Sequence, residues 1–256
     1  MSDDQQSRFP RLSISDLLVL TLCVGFTLAC IAPGIRDLIY RSENKPSGTP
    51  WAVIATVVID YAAIGIGLFG LIVLTRERIR GSALSFSPGH WMLIATAPMA
   101  VLSLFLNAIA PLAHTYWRVF QVSRYLLCVL VILPSLYWTA KAVRVSAVHW
   151  RICASLMLVW LCIEVVFFVA QVGNSLGRLW ALRWVLHLIS ISATAYLLVC
   201  VAAFFAVAVD MFKGVRRDWL HYCGLLPVAL SAGTTAVNLG WTAAQWWRDL
   251  FLHLLP

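Results

Sequence analysis

Two carboxylates, Asp60 and Glu164, stand near the middle of long apolar runs, and any chemistry in this chain would start from them. Residues 152–172, ICASLMLVWLCIEVVFFVAQV, carry one charge, Glu164, and residues 51–74 carry one, Asp60. A helix rises ~1.5 Å per residue, so runs of this length cross the ~30 Å hydrocarbon core of a bilayer and hold each acid near its midplane. An aspartate at that depth costs about 2.5 to 3.5 kcal/mol on insertion scales. No Lys or Arg lies in the central part of any apolar run. Each acid must therefore be protonated, hydrogen-bonded or turned toward a wet cavity.

Such a pair could load and release a proton or pass a cation, and its plainer role is to fasten helices through hydrogen bonds. Counted along their own runs, Asn107, His187 and Asn238 fall in the outer half of the membrane. Asp60, Glu164, Asn107, His187 and Asn238 thus make a candidate intramembrane polar cluster, with Tyr61 as a further hydrogen-bonding neighbour.

Other chemistries lack their parts. Gly173-Asn174-Ser175-Leu176-Gly177 fits G-x-S-x-G, but that motif needs a serine on a strand-to-helix turn with His and Asp in reach, and no strand is expected here. It also departs from the G-x-S-G of rhomboid-like intramembrane proteases and reads as a turn between spans. Lys45, Lys141 and Lys213 are the only lysines and lie outside the runs, which removes a retinal-type Schiff base. His187 is the one histidine well inside a run, so a haem held by two histidines lacks its second ligand. The seven cysteines show no Cys-x-x-Cys spacing and read as small buried hydrophobes. With no H-E-x-x-H and no P-loop either, no catalytic residue, metal or cofactor is expected.

The elements that must position these residues are helices that cross a membrane. With 61% hydrophobic residues, 12% charged and a mean hydropathy of +0.86, the chain lies far from the roughly 25% charge of soluble domains. The pattern predicts an all-α, polytopic transmembrane helical bundle in a single domain over 1–256, with spans at 15–32, 51–74, 91–113, 122–140, 152–172, 184–209 and 223–243. Pro33-Gly34 is expected to stop the first span, Pro98 and Pro111 to kink or shorten the third, and Arg76, Arg78 and Arg80 to follow the second as a basic stop. The small-residue run Ala62, Ala63, Gly65, Gly67, Gly70 invites close helix packing. After the last span, Trp247, Leu250, Phe251 and Leu254 share one face of an expected interfacial helix over 244–254.

Ser15 or Asp16 can cap the first helix. The segment Arg11-Leu12-Ser13-Ile14-Ser15-Asp16-Leu17-Leu18-Val19-Leu20-Thr21 resembles the R-F-S-I-R-D-L-L-x-L-T opening of uncharacterised multi-pass membrane proteins of planctomycete bacteria, with Ser15 in place of a basic residue. The resemblance covers about a dozen residues and implies a bacterial membrane setting without implying any functional residue. Asp3 and Asp4 ahead of the first run fit a retained anchor better than a cleaved signal peptide.

Eleven of the 19 Lys and Arg fall on the N-terminal side of the spans and eight opposite, and of the 12 tryptophans only Trp160 lies well inside a span. These biases predict a cell-membrane protein with a cytoplasmic N-terminus and an aromatic belt at both interfaces. The basic residues are spread over every loop, which suits topology and lipid headgroups rather than nucleic acid, so the lipid bilayer is the expected partner. The reading for function is a structural or binding component without catalytic chemistry of its own. The alternative is a small secondary transporter or proton/cation pathway using Asp60 and Glu164.

Overall fold

The computed structural model describes residues 13–43, 51–80, 87–110, 116–215, 217 and 219–254, with 37–38, 41–43, 52–53, 179–183, 186 and 237–254 described in backbone only. These residues form helices α1 (Ile14–Glu43), α2 (Trp51–Ile79), α3 (Pro88–Ile109), α4 (Trp117–Val145), α5 (Val148–Ser175), α6 (Leu179–Phe212) and α7 (Trp219–Leu254), with no strand among them. α1 to α6 each contain a stretch long and apolar enough to cross a membrane. The outward faces are apolar as a bilayer requires: Leu22, Phe26, Leu130, Leu133, Val166 and Phe204 are all exposed. The all-α transmembrane bundle expected from the sequence is the architecture observed.

Several boundaries differ from expectation. Pro33 does not stop the first helix, which continues through it to Glu43. Proline removes a single intrahelical bond, and the bonds on either side carry α1 onward past Pro33 and Gly34, both of which are exposed. Pro98, Pro134 and Pro227 are likewise inside α3, α4 and α7, whereas α3 does end early, at Ile109. Arg76 and Arg78 belong to the last turn of α2 rather than to the loop beyond it, where their charge complements the helix C-terminus. The backbone of α7 runs unbroken into 244–254. The expected turn at 45–50, Pro111 and the side chains of Asn238, Trp247, Leu250, Phe251 and Leu254 lie outside the described residues.

The first helix starts with a reciprocal cap. Ser13 N–H donates to Asp16 Oδ2 at 2.9 Å and Asp16 N–H donates to Ser13 Oγ at 3.2 Å, so Ser13 is the capping residue and Asp16 its partner three positions on. Serine and aspartate at this spacing, within the segment that carries the resemblance, have a local structural use. G-N-S-L-G closes α5 in the same physical spirit. Gly177 takes φ +78°, its N–H donates to the Asn174 carbonyl at 2.9 Å, and Arg178 N–H donates to the Gly173 carbonyl at 3.1 Å. Gly214, at φ +65°, ends α6 the same way. Ser175 is thus the last residue of a helix before a glycine-terminated cap, the turn that its surroundings predicted.

Consecutive helices pack side by side, and α7 returns to α2 and α3, so α2 to α7 close a ring; α6 touches α7 only lightly, and α1 lies outside against α2. The N-termini of α1, α3, α5 and α7 and the C-termini of α2, α4 and α6 share one end, the end that carries Arg76, Arg78, Arg80, Lys141, Arg144, Arg151, Lys213 and Arg217. The dense core sits in this basic half. One cluster joins Met92, Ile132, Trp150, Met157, Leu161, Val199 and Ala206, and a second joins Cys23, Phe69, Val73, Leu93 and Leu220. Helices approach closely where side chains vanish. A Cβ on Gly89 would stand 2.0 Å from the His221 carbonyl oxygen, one on Gly224 would stand 1.9 Å from that of Gly89, and one on Gly65 would stand 2.7 Å from Val24 Cα. The small-residue run of α2 therefore seats α1, and backbone meets backbone where α3 crosses α7.

Candidate functional site

The other half of the ring is less densely filled: a small core of Ala170, Val185 and Leu188 joins α5 and α6 there, and beside it the helices leave a space. A cavity of about 460 Å³ lies between α2 and α7, and every helix of the ring contributes to its wall. Its packed boundary is made by Ala97, Ile132, Leu161 and Val228, all buried. Counted at ~1.5 Å per residue from the basic ends of the helices, the lining runs from ~12 Å to ~34 Å, which is from the middle of the membrane toward the face opposite the basic residues.

α5 sets the chemical character of the wall. Trp160, Glu164, Phe167 and Phe168 recur at intervals of four, three and one, so one face of the helix brings a carboxylate and three aromatic rings to the cavity. Ser192 of α6 donates its hydroxyl hydrogen to Glu164 Oε1 and accepts from Trp160 Nε1 at 3.2 Å. Tyr196, one turn further along α6, packs its ring 5.0 Å from that of Trp160 and donates to the Val228 carbonyl at 3.3 Å. Thr96 and Ser103 of α3 and Ser231 and Thr235 of α7 complete the polar part of the lining.

Asp60 is close to this site but differs from Glu164 in kind. It does not line the cavity; Thr234 of α7 donates to its Oδ1 at 2.6 Å, and it lies near enough to act electrostatically on the Tyr196 hydroxyl. The Thr234 hydroxyl also stands 2.9 Å from the Ser231 carbonyl oxygen. The single hydroxyl hydrogen of Thr234 is shared between the Asp60 carboxyl and that carbonyl. Glu164, by contrast, meets a donor chain that runs from Trp160 through Ser192 and ends on its oxygen. No cation among the described residues contacts either acid.

Of the five residues singled out from sequence, Glu164 lines the cavity and Asp60 borders it. Asn107 and His187 are exposed and take no part in its wall. The side chain of Asn238 lies outside the described residues. Ser192, Thr234 and Tyr196 went unnoticed because single hydroxyls in apolar helices carry no distinguishing pattern. Trp160 did carry a signal: it is the one tryptophan well inside a span and sits four residues before Glu164.

The basic end holds a second polar cluster that sequence reasoning passed over. Asp210, 4% exposed, accepts from His149 Nε2 at 2.8 Å, Trp150 Nε1 at 2.8 Å, and Arg217 Nε and Nη2 at 2.9 and 2.7 Å. Trp150 meets the ring of His221 edge-on at 5.3 Å, and His221 Nδ1 accepts from Gly89 N–H at 2.8 Å. Arg76 pairs with Asp16 at 2.8 Å. The loops and helix ends of α1, α2, α3, α5, α6 and α7 are tied here, and the Asp210 carboxylate has its full complement of donors. That saturation makes a clasp rather than a site with free valence.

No known protein family, curated protein or solved structure matches this chain. The functional reading therefore rests on the geometry. Among the described residues, no three His, Cys, Asp or Glu come together as metal ligands would.

Proposed function

We propose that this chain is a binding component of the cell membrane, with its N-terminus and basic end in the cytoplasm and with the central cavity as a small-molecule site reached from the opposite half of the bilayer. The observation that carries the reading is the cavity itself: about 460 Å³ at midplane depth, mostly apolar, with a few convergent hydroxyls and one carboxylate. Ligand sites fall in roughly this size range, ~300 to 1,000 Å³, and have this mixture of surface. The bias of 11 against eight basic residues supports the orientation. The lipid bilayer is the first partner, and the N-terminal resemblance supports a bacterial one.

Thermal unfolding of the purified protein against a library of small amphipathic compounds tests the site. A compound that binds only the folded state raises the unfolding temperature, and raises it further as its free concentration exceeds its Kd. Such a compound should stabilise the unaltered protein and lose its effect on A193W, because Ala193 lines the cavity and an indole there would fill it. Hits that stabilise both proteins alike would place binding elsewhere and overturn the reading.

A second reading, a proton or cation pathway, draws on one observation: measured from the basic ends of their helices, Asp60 and Glu164 lie at ~28 Å and ~24 Å, nearly one depth, beside the same cavity. In proteoliposomes that pathway requires pH-dependent flux that D60N or E164Q abolishes in a folded protein. Vesicles that show no flux at any pH would leave binding alone.

A further inference from the structure

The charge and the aromatic rings of the cavity are arranged together. Glu164 is its one ionisable acid, and its lining includes no Lys, Arg or His. Around that carboxylate stand Trp160, Phe167 and Phe168 on the same face of α5, with Tyr196 of α6 against Trp160. Aromatic faces attract cations, above all where water is excluded. Ser192 and Trp160 give Glu164 hydrogen bonds but no charge in return. An anionic ligand would meet a carboxylate and no basic partner, whereas a cation beside Glu164 would favour its charged form and pair with it.

We propose that the ligand of the cavity is a hydrophobic organic cation, an ammonium or phosphonium group on an apolar body, with Glu164 as its counter-charge and the four rings as its cage. This rests on the cavity being a ligand site. The apolar body is held by the remaining lining from α2, α3 and α7, where Ile64, Met99 and Pro227 contribute hydrocarbon surface. The charge of the ligand selects the α5 and α6 side of the space, and its bulk occupies the rest.

Three probes of similar shape separate charge from size: tetraphenylphosphonium, tetraphenylborate and neutral triphenylphosphine oxide. Their binding to the purified full-length protein in detergent is measured by equilibrium dialysis against protein-free micelles. Tetraphenylphosphonium should bind saturably and at least ~10-fold more tightly than either of the others. E164Q should weaken it at least ~10-fold while leaving triphenylphosphine oxide unchanged, and A193W should remove specific binding of both. The charge series on the unaltered protein decides the matter without relying on the folding of any variant. If triphenylphosphine oxide binds as well as the phosphonium, or E164Q binds the phosphonium as tightly as the unaltered protein, the cation assignment fails while the cavity remains a site. If no probe binds saturably, or A193W changes nothing, the cavity reading fails with it.

Discussion

The two halves of this bundle handle polarity in opposite ways. At the basic end Asp210 takes four hydrogen bonds from His149, Trp150 and Arg217, and Asp16 is held by Ser13 and Arg76. Beneath that end the helices pack with buried Phe69, Leu93, Ile132 and Leu220 and with backbone contact at Gly89 and Gly224. In the other half the helices part around a cavity lined by Glu164 and a few hydroxyls, and those of Thr96, Ser192, Tyr196 and Thr235 donate to Glu164 or to backbone carbonyls. In a bilayer, apolar contact alone does little to hold helices together, because lipid is as apolar as leucine. Ion pairs and close backbone approach therefore fasten the basic half, whereas the carboxyl on the cavity wall, Glu164, has no ion-pair partner among the described residues.

Breaking the packed half should have the largest consequences. Gly89→Leu would drive a side chain into the His221 backbone, where even a Cβ would be 2.0 Å from the carbonyl oxygen. Neither side can yield without separating α3 from α7, so no monodisperse folded protein is expected on size-exclusion chromatography. Next in size is Asp210→Ala, which strips one charged acceptor from three side chains. Removing one partner of a buried ion pair costs about 3 to 5 kcal/mol, and the partial exposure of Arg217 puts the expected loss near the lower bound. A denaturant titration of the detergent-solubilised protein reads it. Asp16→Ala removes the side chain that answers the Ser13 cap and the buried end of an ion pair whose Arg76 end is partly exposed, and should cost about 1 to 2 kcal/mol in the same assay.

The cavity half should behave in reverse. Asp60→Asn keeps an oxygen that can accept from Thr234 and should leave stability within about 1 kcal/mol of the unaltered protein. Glu164→Gln preserves the acceptor for Ser192 and should change stability less than Asp210→Ala does, while removing the preference for cationic ligands. A Glu164→Gln protein as unstable as Asp210→Ala would mean that the cavity acid is a fastener like those of the basic end, and the contrast between the halves would collapse.

Helix number and the two costly acids were legible because the bilayer imposes both. It demands apolar runs of a set length, and it makes a mid-span carboxylate expensive enough to stand out. Depth was legible too, since residues count off along a helix at a constant rise. Azimuth was not. α5 and α6 are apolar on nearly every side, so nothing in the sequence says that Glu164 and Ser192 face one another, or that Asn107 and His187, placed at suitable heights, turn outward. The clasp was missed for a related reason. Asp210, His149 and Arg217 lie at span ends, where charges are ordinary, and only the three-dimensional meeting of three ends shows that one acid serves three donors. Pro33 misled because one proline removes only one intrahelical bond, and the bonds on either side carry α1 through it.

The contrast between the halves can be read directly by the reactivity of single cysteines in a cysteine-free background, in nanodiscs, toward a small membrane-permeant thiol reagent. Ser231→Cys lies in the cavity wall and Ala206→Cys in the closed core, where Ala206 is 0% exposed. Ser231→Cys should react at least about tenfold faster than Ala206→Cys, as thiol access dictates, and A193W should slow Ser231→Cys alone. Equal rates at the two positions would show that the membrane-embedded protein has no accessible cavity, and would contradict the site on which the functional reading stands.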